Sequence, residues 1–130
     1  MRAAVRERKV STGRTATEQR AQGEADVRAA IDALPEPDRS MALRIHEIVA
    51  NVAPNLVPRT FYGMPAYARD GKVVCFFSAK VKGGTGYASF GIQAGLRLDH
   101  GNMWPVSYAI AELTDAEERQ LAELVRQAAR

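Results

Sequence analysis

AYARDGKVVCFFSA, residues 66–79, is the segment from which the fold of this chain can be worked out. Two runs of mostly apolar residues flank Asp70-Gly71, and Asp-Gly suits a two-residue hairpin turn because both residues tolerate positive φ. The second run, residues 73–77, is apolar on both faces. A strand of this kind lies centrally in a sheet, covered on both sides or covered on one and facing a pocket on the other.

Further short strands are predicted on either side of this hairpin. Residues 59–62, 87–92 and 106–111 are rich in aromatic and β-branched residues or alternate between apolar and small ones. Gly63-Met64-Pro65 is predicted to interrupt the chain between the first two strands. Because the turns are too short for crossovers, we expect a mostly antiparallel sheet of about five strands.

Helical spacing predicts three helices outside the sheet. The first begins near Glu24 and ends before Pro35, and the second follows at once and closes before Pro54. A capping box, Thr114 with Glu117, opens a C-terminal helix. The fold class is therefore α+β, with two N-terminal helices and a C-terminal helix packed on the sheet.

Length and composition favour one small globular domain. The chain has 130 residues, of which 46% are hydrophobic and 25% charged. One cysteine, Cys75, permits no internal disulfide and suits a reducing compartment. No apolar run approaches the roughly 18–20 residues that span a bilayer, so we expect a soluble, cytoplasmic protein.

The N-terminal segment differs from the remainder in charge and pattern. Residues 1–22 carry a net charge of +4 and almost no large apolar side chains, so we predict a disordered basic tail before a domain at 23–130. Such a tail is either a solvated leader or a weak contact for nucleic acid or another anionic partner. An unpaired edge strand could also support a homodimer.

No catalytic residue is assigned from the sequence. His46 follows the core position Ile45 on the second helix and is expected at the surface or its boundary, and His100 lies in a loop beside Asp99. Cys75 sits in an apolar strand, where a thiol is usually inert. One cysteine and two distant histidines cannot form a four-ligand zinc site.

Two groups of residues are candidate ligand sites. Aromatic residues near a Gly/Pro bend could line a small pocket, although packing alone would also explain them, and the net charge of +5 over residues 59–97 suits an anionic ligand. Acidic residues on the first two helices could bind a hard cation such as iron, although helix dipoles also favour acids there. The pocket set is Tyr62, Gly63, Met64, Pro65, Tyr67, Lys80 and Trp104, and the metal set is Asp32, Glu36, Asp38 and Glu47.

Three strings resemble one known family. They are Tyr62-Gly-Met-Pro-Ala-Tyr67, Asp70-Gly-Lys-Val73 and Phe76-Phe-Ser-Ala-Lys80. They are similar to motifs of the YdhG-like domain family over roughly residues 24–130. The resemblance implies the same α+β fold. Because one branch of that family is described as a frataxin-like iron chaperone, it also implies iron binding.

Three functions follow from these observations. The first is a non-enzymatic YdhG-like binding protein, with iron as its cofactor or cargo. The second is a pocket protein for a small anionic or aromatic ligand. The third is a nucleic-acid or protein interaction module that works through the basic tail.

Overall fold

The computed structural model describes residues 15–81, 86–93 and 102–130. Its order of elements is helix, helix, five strands, helix, as the sequence predicts. The elements are α1 (Ala16–Asp32), α2 (Asp38–Val52), β1 (Val57–Phe61), β2 (Met64–Arg69), β3 (Lys72–Ser78), β4 (Ala88–Ile92), β5 (Ser107–Ile110) and α3 (Asp115–Ala128).

The five strands form one sheet in sequence order, and every neighbouring pair is antiparallel. Tyr67, Cys75 and Ile92 are cross-strand neighbours on one face, and all three are buried. They share a core with apolar residues of all three helices. The helices therefore cover one face of the sheet, and the α+β prediction is confirmed.

Two tight turns set the register at the start of the sheet. Asp70 and Gly71 both take positive φ, as predicted for the β2–β3 hairpin. Tyr62 and Gly63 do the same between β1 and β2. The predicted interruption is therefore confined to this turn, and Met64 and Pro65 belong to β2. Pro65 is tolerated there because pairing with β3 begins one residue later, at Ala66.

Helix α1 begins at Ala16, eight residues before the predicted start near Glu24. The Thr15 hydroxyl accepts the Glu18 backbone N–H at 3.0 Å and caps the helix. The Arg20 guanidinium donates to the carbonyl oxygens of Leu56 and Pro54, each at 3.1 Å. Residues 16–22 have no large apolar side chains, but the Thr15 cap and the hydrogen bonds of Arg20 hold them in the helix. Residues 1–14 of the predicted tail lie outside the described residues.

One glycine lets α1 lie directly against the sheet. Gly23 is buried, and a Cβ atom at this position would overlap the carbonyl oxygen of Pro58 in β1. The obstacle is backbone, so it cannot move aside as a flexible side chain would. Close packing of α1 on β1 therefore depends on Gly23.

Among the helices of the described ranges, none is long and apolar enough to cross a membrane.

We predict that Gly23→Ala lowers the free energy of unfolding by about 1–3 kcal/mol, because the added methyl group forces α1 away from β1. In an exposed helix the same change would stabilise by about 1 kcal/mol. Gly86→Ala is the control, since a Cβ there meets nothing within 4 Å. Urea unfolding measures both. Equal free energies of unfolding for the two variants would contradict the close packing of α1 on β1 at Gly23.

Candidate functional site

A cleft of about 440 Å³ opens between the sheet and α3. Its interior is apolar: Phe90, Ile110 and Leu121 are buried, and Tyr108 and Leu124 are half-buried beside them. Strands β4 and β5 supply one wall, and α3 supplies the other. The lining consists of Phe90, Tyr108, Ala109, Ile110, Ala111, Glu112, Leu113, Thr114, Glu117, Gln120, Leu121 and Leu124.

The polar residues of this lining carry only negative charge. Glu112 and Glu117 are acidic, Thr114 and Gln120 are neutral, and no described residue of the lining is Lys, Arg or His. The Glu117 carboxylate accepts the Thr114 backbone N–H at 3.0 Å, which confirms the predicted capping box. Hydrogen bonds from the hydroxyl and backbone of Thr114 hold the pKa of Glu117 below its ordinary value. Glu117 is therefore ionised at neutral pH.

Strand β5 brings backbone N–H and carbonyl groups, unpaired among the described strands, to the same cleft. The Ile92 N–H donates to the Val106 carbonyl oxygen at 2.8 Å, so alternate residues from Val106 onward bond inward to β4. The backbone groups of Ser107 and Ala109 consequently point away from β4. Within the described part of the chain, no strand pairs with that outer edge of β5. Ala109, whose carbonyl lies on the open edge, also lines the cleft.

A second polar cluster lies inside the core. His46 has 3% of its surface exposed, and its ring joins two helices to the sheet. Its Nδ1 is 2.9 Å from the Tyr67 hydroxyl, and its Nε2 is 2.8 Å from Glu24 Oε2. Arg28 donates to the same Glu24 oxygen at 2.6 Å. Neutral His46 satisfies this geometry when Tyr67 donates to Nδ1 and Nε2–H donates to Glu24.

The predicted surface or boundary position of His46 is therefore wrong. His46 stands four residues after Ala42 and three before Val49, and both are buried. That spacing puts its ring on the core side of α2, where Tyr67 and Glu24 satisfy both ring nitrogens. The missed signal was the width of the apolar face of α2, which extends beyond the stripe through Ile45.

Burial and hydrogen bonding shift the pKa values of Tyr67, Cys75 and Glu24 in and beside this cluster. Desolvation raises the pKa of the Tyr67 hydroxyl well above its ordinary value and raises that of Cys75 to about 12. Partial desolvation opposes ionisation of Glu24, but hydrogen bonds from His46 and Arg28 outweigh it and lower its pKa. Cys75 is buried and protonated at neutral pH, which fits the inert thiol expected from the sequence.

None of the seven residues predicted for a pocket lines the cleft. Tyr62 is 90% exposed at the β1–β2 turn with Gly63, whereas Pro65 and Tyr67 are buried in β2. Met64 and Trp104 are half-buried, and Lys80 uses its backbone N–H to bond Asp38. Because Tyr62 is at the exposed turn and Tyr67 is in the core, the structure does not bring these two together around one ligand.

The four candidate iron ligands are engaged separately. Glu36 accepts from the Ser40 N–H at 2.9 Å, and Glu47 pairs with Arg44 at 3.2 Å. Asp38 is buried and accepts the Lys80 N–H at 2.8 Å, while Asp32 is exposed at the end of α1. Among the described residues, no group of three or more His, Cys, Asp or Glu side chains could hold a metal ion. Asp99 and His100 lie outside those residues.

Comparisons with models of protein families, with curated proteins and with solved structures returned no match.

We predict that Tyr67→Phe lowers the free energy of unfolding by about 1–3 kcal/mol, because it leaves the buried Nδ1 of His46 without a hydrogen-bond partner. Tyr62→Phe removes the same hydroxyl from an exposed ring, so its effect stays within about 0.5 kcal/mol. Chemical denaturation compares the two variants. If Tyr67→Phe were as neutral as Tyr62→Phe, the Tyr67–His46 hydrogen bond would not stabilise the core.

Proposed function

We propose that this chain is a non-enzymatic binding protein that holds a small molecule with an aromatic or aliphatic body in the cleft between β5 and α3. The observation that carries the proposal is the cleft itself, about 440 Å³ in volume, with an apolar interior and a few polar groups at its mouth. Sites for small molecules are commonly concave and mostly apolar, with a few polar groups that orient the ligand.

Our second hypothesis placed its ligand around Tyr62 and Tyr67, which do not line this cleft, but of its two ligand classes the cleft favours an aromatic molecule over an anion. The anionic alternative rests on the positive charge of residues 59–97, but none of the described cations of that segment lines the cleft. Arg69, for example, donates to the Ala129 carbonyl oxygen at 2.7 Å. Among the described residues, an anion in the cleft would meet Glu112 and Glu117 without a compensating cation, and like charges in a partly desolvated site repel.

The polar groups of the cleft support binding better than catalysis. The hydroxyl of Thr114 and the carboxylate of Glu117 are in contact, but they form the cap of α3. The lowered pKa of Glu117 also makes this carboxylate a weak base. Tyr67 and Cys75, whose pKa values are strongly raised by burial, lie in the core and do not line the cleft.

The other hypotheses stay as predictions. Membership of the YdhG-like family rests on the segments 62–67, 70–73 and 76–80, and iron binding rests on that resemblance. The described acids offer no converging set of ligands for iron. Binding of a nucleic acid or protein through the tail concerns residues that lie mostly outside the described ranges.

We predict that aromatic molecules raise the melting temperature of the wild-type chain, because a ligand of the folded state alone stabilises that state. Gln120→Trp should abolish the shift, because Gln120 is an exposed lining residue and an indole there would occupy the cleft. Glu123→Trp places the same ring on α3 outside the lining and should preserve it. Thermal unfolding with 2-phenylethylamine, 3-phenylpropionate and ethylbenzene provides the measurement.

Two results would contradict the proposed function. One is the absence of any shift with all three probes. The other is an undiminished shift in Gln120→Trp, which would place the ligand elsewhere.

A further inference from the structure

We infer that the ligand of this cleft is an amphiphilic amine, whose apolar body lies between β5 and α3 and whose ammonium group lies at the mouth. The inference rests on the proposed function and names the chemical class of its ligand. Three separate features of the lining support a positively charged group.

The first feature is uncompensated negative charge. No hydrogen-bond or ion-pair partner of Glu112 is present among the described residues, although Glu112 lines the cleft. Glu117 receives its hydrogen bonds from the neutral groups of Thr114, so its charge is also unpaired. By contrast, Glu118 on the next position of α3 is paired with Arg44 at 2.8 Å. Two carboxylates without a cation favour a cationic ligand group.

The second feature is the polarity of the free strand edge. Ala109 presents both its backbone carbonyl and its N–H on the outer side of β5, where no described strand pairs with them. A carbonyl oxygen accepts hydrogen bonds, and an ammonium group has three N–H donors and no acceptor. An amine at the mouth can therefore bond the Ala109 carbonyl and the carboxylates together, whereas a carboxylate ligand could accept only from the Ala109 N–H and would be repelled by Glu112 and Glu117.

The third feature is the half-buried ring of Tyr108, which lines the same cleft. An aromatic face attracts a cation within about 6 Å, and it also packs well against an apolar ligand body. Tyr108 can thus contact either end of an amphiphilic amine. Phe90 and Leu121, which are deeper in the core, offer only apolar surface.

Three probes with the same phenyl body test the charge preference: 2-phenylethylamine, 3-phenylpropionate and ethylbenzene. Backbone amide NMR shifts of the ¹⁵N-labelled full chain, followed at Ala109 and Leu113, report binding at the cleft. We expect the amine to bind at least about tenfold more tightly than either other probe at low salt. The difference should shrink in about 0.5 M NaCl, because salt screens exposed charges.

Neutralising variants assign the preference to named residues. Glu112→Gln and Glu117→Gln should each weaken binding of the amine by about threefold or more and leave binding of ethylbenzene unchanged. Glutamine is compatible with the capping box, so Glu117→Gln keeps α3 capped. Glu123→Gln is the control, because Glu123 is an exposed carboxylate of the same helix outside the cleft.

The outcomes separate this inference from the proposed function. Equal affinities for the three probes would overturn the amine and leave the apolar cleft as the binding site. No perturbation of cleft signals by any probe would overturn both. A dimer in sedimentation equilibrium that Ala109→Pro dissociates would show that a second copy occupies the β5 edge, and it would also overturn the amine.

Discussion

The hydrogen-bonded chain from Tyr67 through His46 to Glu24 is the constraint on which the arrangement of the helices depends. It joins β2, α2 and α1 in one continuous line of polar contacts inside an otherwise apolar core. Burying an imidazole costs free energy unless both of its nitrogens have hydrogen-bond partners. Both partners of His46 are present only when α1, α2 and β2 are aligned as they are here, so this alignment is favoured over shifted ones. No buried side-chain N or O atom of the described residues lacks a partner.

The position of the cleft follows from that constraint. Helix α1 lies against β1 at Gly23, and α2 is held over β2 by His46. Helix α3 packs beside α2, where Arg44 and Glu118 pair at 2.8 Å, and reaches β3. The far edge of the sheet therefore extends past the layer of helices. Phe90, Tyr108 and Ile110 of β4 and β5 line the gap under α3, and of these only Tyr108 is half-buried rather than buried.

Local chemistry explains why much of the fold could be predicted from the sequence. The Asp70-Gly71 turn, the prolines after α1 and the Thr114–Glu117 cap act over a few residues, so sequence patterns reveal them. The hydrogen bonds of His46 could not be predicted, because its partners Glu24 and Tyr67 are 22 and 21 residues away in the sequence. The cleft could not be predicted, because Leu121, Leu124 and Ile110 have the spacing of ordinary core residues. Whether these side chains pack against other side chains or line a gap depends on where α3 lies across the sheet.

We propose that a ligand with an apolar body occupies the gap between β5 and α3. Intermolecular nuclear Overhauser effects from the ring protons of 2-phenylethylamine to side-chain methyl groups would locate that ligand. We expect contacts to Ile110, Leu121 and Leu124, which line the cleft from both walls. Contacts confined to the opposite face of the sheet, around Phe61 and Phe76, would contradict it.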